Sequence, residues 1–321
     1  MTMRLRVLKN WITALALFCA VSFPATSRAI NTGDIMVADG ATGLIFVDRA
    51  TGAQHVLSGV GCIDVTSTSA GDVFVLASGA PGSIYKIDTI TGARSLVATG
   101  GHLQSARTID LAPDGAFYLA KDTSAEGLIR VDPTSGAQTV VASGFITAFV
   151  PAGVGFGYIA LGDSPTAPNY HLYRVDLSSG ELTQVSSTGF GYPVGLALDL
   201  SGNVIVTDAG EVFVTLPDAW RVDPASGSVT VLPALFQAPW GVAVESNGSI
   251  IVADHENVLS CTRPEDRACP GALYRIDTWG QTLMTEKDLF HSIAGVDIYK
   301  GPSVPTGVRK STWARVKQMY R

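Results

Sequence analysis

One phrase occurs six times in the 321-residue chain: a short alternating apolar stretch, an aspartate, two or three variable residues and a glycine. The copies pair Asp48 with Gly52, Asp88 with Gly92, Asp132 with Gly136, Asp176 with Gly180, Asp223 with Gly227 and Asp277 with Gly280. Successive aspartates lie 40, 44, 44, 47 and 54 residues apart. A unit of that length cannot bury its own apolar faces and must stack on neighbours like itself. The phrase reads as a hairpin. Aspartate accepts hydrogen bonds from the N–H groups just ahead of it, Pro133 and Pro224 preset the turn, and the glycine takes positive φ. One turn explains all six aspartates, so they are read as structural and not as a metal ring.

A second hairpin lies upstream of the phrase. Its turns are Ser69–Asp72, Pro113–Gly115, Gly153–Gly155, Leu200–Asn203 and Ser246–Gly248. Each unit therefore carries four strands, apolar on both faces, as suits layers packed on both sides. The expected fold class is all-β, a six-bladed β-propeller. The first unit starts directly at its second strand, Asp34–Asp39. The missing strand is found in Ala294–Tyr299, so a C-terminal strand is expected to complete blade one and remove two open edges. Residues 30–301 are read as the propeller and 302–321 as a basic tail, with Pro302, Pro305 and Gly307 ending regular structure.

Residues 1–29 combine Arg4, Arg6 and Lys9 with an apolar run from Trp11 and the small-x-small end Ser27-Arg28-Ala29. This reads as a cleavable signal peptide, with the mature protein periplasmic or extracellular and with no transmembrane segment. Residues 1–29 hold four basic groups and no acid; setting them aside leaves 18 basic against 28 acidic residues, a net of −10. The tail contributes five more basic residues, so the body stands at 13 against 28, or −15. An acidic body argues against a nucleic-acid partner. In an oxidising compartment Cys261 and Cys269 are expected to form a disulfide, with Cys62 left as a buried thiol. A monomer is expected.

Two stretches resemble a known repeat. Pro193-Val194-Gly195-Leu196-Ala197-Leu198-Asp199, followed by Gly202-Asn203-Val204-Ile205-Val206-Thr207-Asp208, is similar to an NHL repeat. So is Pro239-Trp240-Gly241-Val242-Ala243-Val244, followed by Gly248-Ser249-Ile250-Ile251-Val252-Ala253-Asp254. The resemblance extends over about residues 31–300 and is cleanest in these two units. It implies a superfamily of six-bladed propellers that includes gluconolactonases, streptogramin lyase, strictosidine-synthase-like proteins and exported members without evident catalysis. The Glu-Gly-Pro motif that gives gluconolactonase-like members a metal ligand is absent. The Trp-Phe-Thr-Glu pattern of streptogramin-lyase-like members is replaced by Val-Thr-Asp and Val-Ala-Asp. The first reading is therefore a module binding a small molecule or a protein at one mouth of the channel. The alternative is a divalent-metal-dependent hydrolase, lactonase-like, or a lyase, with calcium as one candidate ion.

The mouth is formed by loops leading into each innermost strand and loops leaving the second strand. Aligning the inner strands places Asp64, Thr108, Ala148, Gly195, Gly241 and Gly295 at one level, with Ile63, Arg107, Thr147, Val194, Trp240 and Ala294 just before it. Asp64 and Arg107 depart from the repeat. The inlet loops add Tyr192 and His291, and the outlet of the last full unit adds Asp254 and His255. Asp64, Arg107, Tyr192, Trp240, Asp254, His255 and His291 are thus the candidate ligand-binding residues. Asp39, Asp122, Asp163, Asp208 and Asp254 occupy the outlets, where a shared role in capping loop N–H groups is expected, with Ser78 in the second unit.

Overall fold

A computed structural model describes residues 30–303 apart from residues 78, 165–168, 211–217, 256–270 and 287–288. Ser78, Glu256, Cys261 and Cys269, residues 1–29 and most of the basic tail lie outside the described residues. In chain order the strands are β1 (Ile35–Asp39), β2 (Gly43–Val47), β3 (Gln54–Ser58), β4 (Cys62–Ser67), β5 (Val73–Ala77), β6 (Ser83–Ile87) and β7 (Arg94–Thr99). They continue as β8 (Asp110–Leu111), β9 (Phe117–Ala120), β10 (Asp122–Val131), β11 (Gln138–Gly153), β12 (Phe156–Gly162), β13 (Tyr170–Asp176) and β14 (Leu182–Gln184). The last are β15 (Pro193–Leu198), β16 (Val204–Asp208), β17 (Asp218–Val222), β18 (Val229–Val231), β19 (Pro239–Val244), β20 (Ile250–Asp254), β21 (Ala272–Asp277), β22 (Gly280–Glu286) and β23 (Ile293–Ile298).

Four sheets have four antiparallel strands, β4–β7, β15–β18, β19–β22 and the set β23-β1-β2-β3; the fifth runs continuously from β8 to β14. The closing strand pairs with β1, Ile298 opposite Ile35 and Val296 opposite Val37. In the seven-stranded sheet the long β11 pairs with β10 through its first half and with β12 through its second. Aliphatic residues point from both faces of each sheet into separate cores. Met36 and Ala38 pack with Val65 and Val75 on one side of β1, while Ile35 and Val37 pack with Ile251 and Leu273 on the other. Four further cores join the remaining neighbouring layers in the same way. The fold is an all-β propeller with almost no helix, and no helix among the described residues is long and apolar enough to cross a membrane.

The recurrent hairpin has the expected chemistry. The Asp48 carboxylate accepts from the N–H groups of Ala50 and Thr51, and equivalent bonds hold Asp88, Asp132, Asp176, Asp223 and Asp277. The Ser178 hydroxyl on Asp176, the Ser226 hydroxyl on Asp223, and the N–H groups on Asp88 and Asp132 pull these four carboxyls below the usual range. In five copies the glycine N–H returns to the aspartate carbonyl at 2.8 Å. The glycine also faces the next layer. Gly52 lies against Met284, Gly92 against Leu57, Gly136 against Val97, Gly180 against Val141 and Gly227 against Val185, each time at the carbonyl oxygen. The phrase is thus both a turn and a layer-to-layer contact. Gly280 departs: its turn is one residue shorter and nothing lies within 4 Å of where a Cβ would stand.

Candidate functional site at the channel mouth

Second-strand ends control the mouth. The Asp39 carboxylate accepts from His291 and Ser292 N–H, Asp208 from Gly191 and Tyr192, and Asp254 from Gln237 and Ala238, all within 3.0 Å. Each aspartate therefore ties the loop leading into an inner strand to the end of the second strand. Replacing Asp208 by alanine strands three N–H groups, those of Gly191, Tyr192 and Gly210. A loss of roughly 3 kcal/mol in chemical denaturation is expected; an unchanged midpoint would show that water replaces the carboxylate.

The expectation that all five outlet aspartates share this role needs correction. In the seven-stranded sheet Lys121 N–H donates to the Gly127 carbonyl, so Lys121 occupies the register position that Asp39 takes opposite Gly43. Lys121 is 7% exposed, pairs with Glu126 and donates to the His102 carbonyl. The polarity of the tie is reversed: a cation meets a loop carbonyl where the other units set a carboxylate against loop N–H groups. Asp122, one residue later, is released towards the mouth. Asp163 likewise falls past the register position, which Leu161 fills opposite His171, and it is exposed.

Asp122 joins Arg107 and Tyr192. The Tyr192 hydroxyl donates to Asp122 Oδ2 at 3.3 Å, and Arg107 Nη2 stands 3.7 Å from the same oxygen, beyond hydrogen-bond reach. The Arg107 guanidinium lies over the Tyr192 ring at 5.5 Å, a cation–π arrangement, while Tyr170 meets that ring edge-on at 5.7 Å. Ser105, two residues before Arg107, is the one described non-glycine residue with positive φ, at 64°. Trp240 stacks on His255 with centroids 4.8 Å apart and planes 19° apart. His255 Nδ1 faces the Ile293 carbonyl and so must donate to it, which leaves Nε2 as the acceptor of the neutral ring.

A cavity of about 640 Å³ runs along the axis, lined by six inner segments. Arg107, Thr147 and Trp240 line it near the starts of the inner strands; Asp64, Asp110 and Asp297 line it further along them, and the half-exposed Lys300 lines it past the end of β23. Glycines make this axis narrow. A side chain at Gly241 would meet the Ala294 carbonyl, and one at Gly295 would meet Asp64 itself. Asp64 accepts from Val65 N–H at 2.9 Å and Ile109 N–H at 2.7 Å. Asp297 accepts from Ser67 and Ile298 N–H groups and from Lys300 Nζ at 3.0 Å. Desolvation, then nearby Asp297, raise the Asp64 carboxyl from 3.8 to about 7 against the pull of its two N–H donors. Desolvation, then nearby Asp64, raise the Asp110 carboxyl well above its ordinary value.

That shift fixes a pH dependence. The folded protein holds the Asp64 proton more tightly than the unfolded chain. The resulting stability is complete below about 3.8 and is lost as pH rises through about 7. One such proton changes stability by at most about 1.4 kcal/mol per pH unit. Denaturation midpoints of the wild type and Asp64→Asn, compared from pH 4.5 to 8, should show a shallower decline in the variant. Parallel profiles would mean that Asp64 ionises normally.

Among the sequence-derived candidates, Asp64, Arg107 and Trp240 line the cavity, with Tyr192 and His255 held beside the latter two. Asp254 serves as a loop cap. His291 lies away from the cavity, its Nδ1 near the Thr42 hydroxyl and the Leu289 carbonyl. Sequence reading passed over Asp122, Thr147, Asp110, Asp297 and Lys300 as site residues. Among the described residues no set of ligands for a divalent cation is assembled, no three His, Cys, Asp or Glu coming together to hold one. Asp64 and Asp254 already accept N–H groups.

Residues 236–257 match the family model of the NHL repeat. A comparison with curated protein sequences returns no match. Solved structures resemble the fold. TolB from Acinetobacter baumannii superposes with a TM-score of 0.60 at 15% identity, covering 83% of this chain and 66% of that one. The chain thus spans just under two thirds of TolB. A chain of the nidogen/laminin complex gives 0.61 at 15% identity, covering 83% and 98%. A protein of unknown function from Bacteroides thetaiotaomicron gives 0.58 at 13% identity, covering 85% and 72%. The chain has the β-propeller fold, and one stretch of it, residues 236–257, is similar to an NHL repeat.

Proposed function

We propose that this chain is an exported, six-bladed propeller that binds a small molecule at the mouth bearing Arg107, Asp122, Tyr192, Trp240 and His255. The seven-stranded sheet counts as two blades that share β11, in keeping with six hairpin phrases and six segments along the cavity. The observation that carries the binding reading is the axial cavity itself. Its volume, about 640 Å³, falls within the roughly 300–1,000 Å³ of small-molecule sites, and charged and aromatic groups converge at one end. A protein partner instead would be met by the rim loops. Arg107→Ala and Trp240→Ala should each remove at least half of the hits that a general fragment library gives on the wild type in ligand-observed NMR. Hits unaffected by both substitutions would place binding elsewhere.

Export is tested on the protein recovered from the periplasm or medium, whose N-terminus is expected at Ile30. In that compartment Cys261 and Cys269 are expected to be bonded. A loop this short contributes about 2–3 kcal/mol by chain-entropy arguments. Cys62 is a buried free thiol pushed up to about 12 by desolvation. Alkylation of denatured, unreduced protein should therefore modify one cysteine of the mature chain; three would exclude the disulfide.

A further inference from the structure

We infer that the ligand of this mouth is a neutral carbohydrate, with one sugar ring laid on Trp240 and its hydroxyls directed to Arg107, Asp122 and Thr147. The inference rests on the reading of the mouth as a binding site and adds the ligand's chemistry.

Two buried polar atoms at the mouth lack hydrogen-bond partners, and the exposed Arg107 guanidinium stands beside them. Asp122 Oδ1 is buried without a hydrogen bond, and so is the Thr147 hydroxyl, on a residue only 1% exposed. The Arg107 guanidinium makes no hydrogen bond among the described residues; its contacts are the 3.7 Å approach to Asp122 and the face of Tyr192. Buried polar groups are rarely left unpaired, and each orphan calls for an explanation. Together they ask for a donor at Asp122, an acceptor at Arg107 and either at Thr147. A hydroxyl meets all three demands, and neighbouring hydroxyls on one ring meet them at once.

The facing wall is aromatic. The inner segments follow one another around the axis in the order β23, β4, β8, β11, β15 and β19. Arg107, just before β8, and Trp240, on β19, therefore stand on opposite sides. The His255 stack holds the indole flat. An indole face accepts the C–H face of a sugar, whose hydroxyls then point outward to the opposite wall.

Charge argues against ionic ligands. Below the mouth Asp64 and Asp110 hold their protons to raised pH and Asp297 is paired with Lys300, so among the described residues the cavity offers no uncompensated cation to a carboxylate or phosphate. At the mouth itself Arg107 and Asp122 stand side by side with opposite charges, so neither an anion nor a cation meets an uncompensated opposite charge. A neutral ligand with both donors and acceptors needs no such charge.

The test uses the mature protein, residues 30–321, titrated calorimetrically with methyl β-D-glucopyranoside, methyl β-D-galactopyranoside and methyl α-D-mannopyranoside, and with glucuronate and glucosamine as charged counterparts. Saturable binding of at least one neutral glycoside is expected, at least tenfold tighter than either charged sugar. Trp240→Ala should weaken it at least tenfold. Thr147→Val is the sharper variant: removing an unpaired buried hydroxyl should raise the melting temperature while weakening the sugar several-fold, which a purely structural threonine would not do. Failure of all three glycosides, equal or tighter binding of a charged sugar, or indifference to both substitutions overturns the inference. If fragments of other chemistry occupy the mouth while no sugar does, the carbohydrate assignment falls and the binding site stands. If nothing binds there, both fall.

Discussion

A chain ending at Ser292 is expected to lose its cooperative unfolding transition, whereas one ending at Ser303 keeps it. The shorter chain lacks β23, which pairs with β1 and carries Ile293, Ala294 and Val296 into the core. It also lacks Tyr299, which packs edge-on against Phe46 at 5.8 Å and closes the core between the first two sheets. Each buried side chain of this size contributes roughly 1.5–3 kcal/mol, so the set rivals the roughly 5–15 kcal/mol by which a domain is stable. The polar cost adds to it. Ser67 loses Asp297 and the Lys300 N–H, and β1 is left with an unpaired edge lining the axis. Such an edge pairs with whatever strand it meets, so aggregation is expected. The chain ending at Ser303 retains the Tyr299 bond to the Pro302 carbonyl and the Thr32 bond to the Gly301 carbonyl. Urea unfolding followed by circular dichroism and tryptophan fluorescence decides the matter. Coincident sigmoidal curves from the Ser292 chain would show that the ring does not need its last strand.

The fold was legible because one local motif repeats. An Asp–Gly hairpin has a fixed turn chemistry, and the strand that the first unit lacks appears in Ala294–Tyr299 with the same apolar pattern, so the β23–β1 pairing could be read from residues alone. The mouth was less legible because register decides it. Lys121-Asp122 looks like the strand-ending aspartate of the other units, yet pairing places Lys121 in the capping position and frees Asp122. A one-residue offset leaves no trace in composition; the lysine before the aspartate was the only signal. Asp110 and Asp297 were missed for a different reason. Each is an ordinary strand residue in its own unit, and their proximity to Asp64 comes from the ring and not from any sequence spacing. Asp64 stood out because it breaks a row of small residues, and Gly295 proves to be the residue that leaves it room.

Gly92→Ala and Gly180→Ala are expected to destabilise the protein by about 3–5 kcal/mol each, far more than a turn glycine alone would explain. Both residues have positive φ, 71° and 74°, which costs an L-residue about 1 kcal/mol. The larger part comes from the neighbouring layer. An added Cβ would overlap the Leu57 carbonyl oxygen at Gly92 and the Val141 carbonyl oxygen at Gly180, and backbone cannot move aside as a flexible side chain can. Relief requires the hairpin to lift from the adjacent outer strand, which loosens the apolar core beneath. Gly280 separates the two contributions. It closes the sixth hairpin at φ 119° with no neighbouring atom near the added carbon, so Gly280→Ala should cost only the local strain, about 1–3 kcal/mol because this φ lies outside the left-handed α region. For a protein of this size the first two variants should melt roughly 5–8 °C lower and the third about 2–5 °C lower. If Gly280→Ala proves as damaging as Gly92→Ala, the glycines are conserving turn geometry alone and the layer contact contributes nothing. If Gly92→Ala costs no more than 1 kcal/mol, adjacent layers slide freely enough to accommodate it, and the stacked hairpins do not set their spacing.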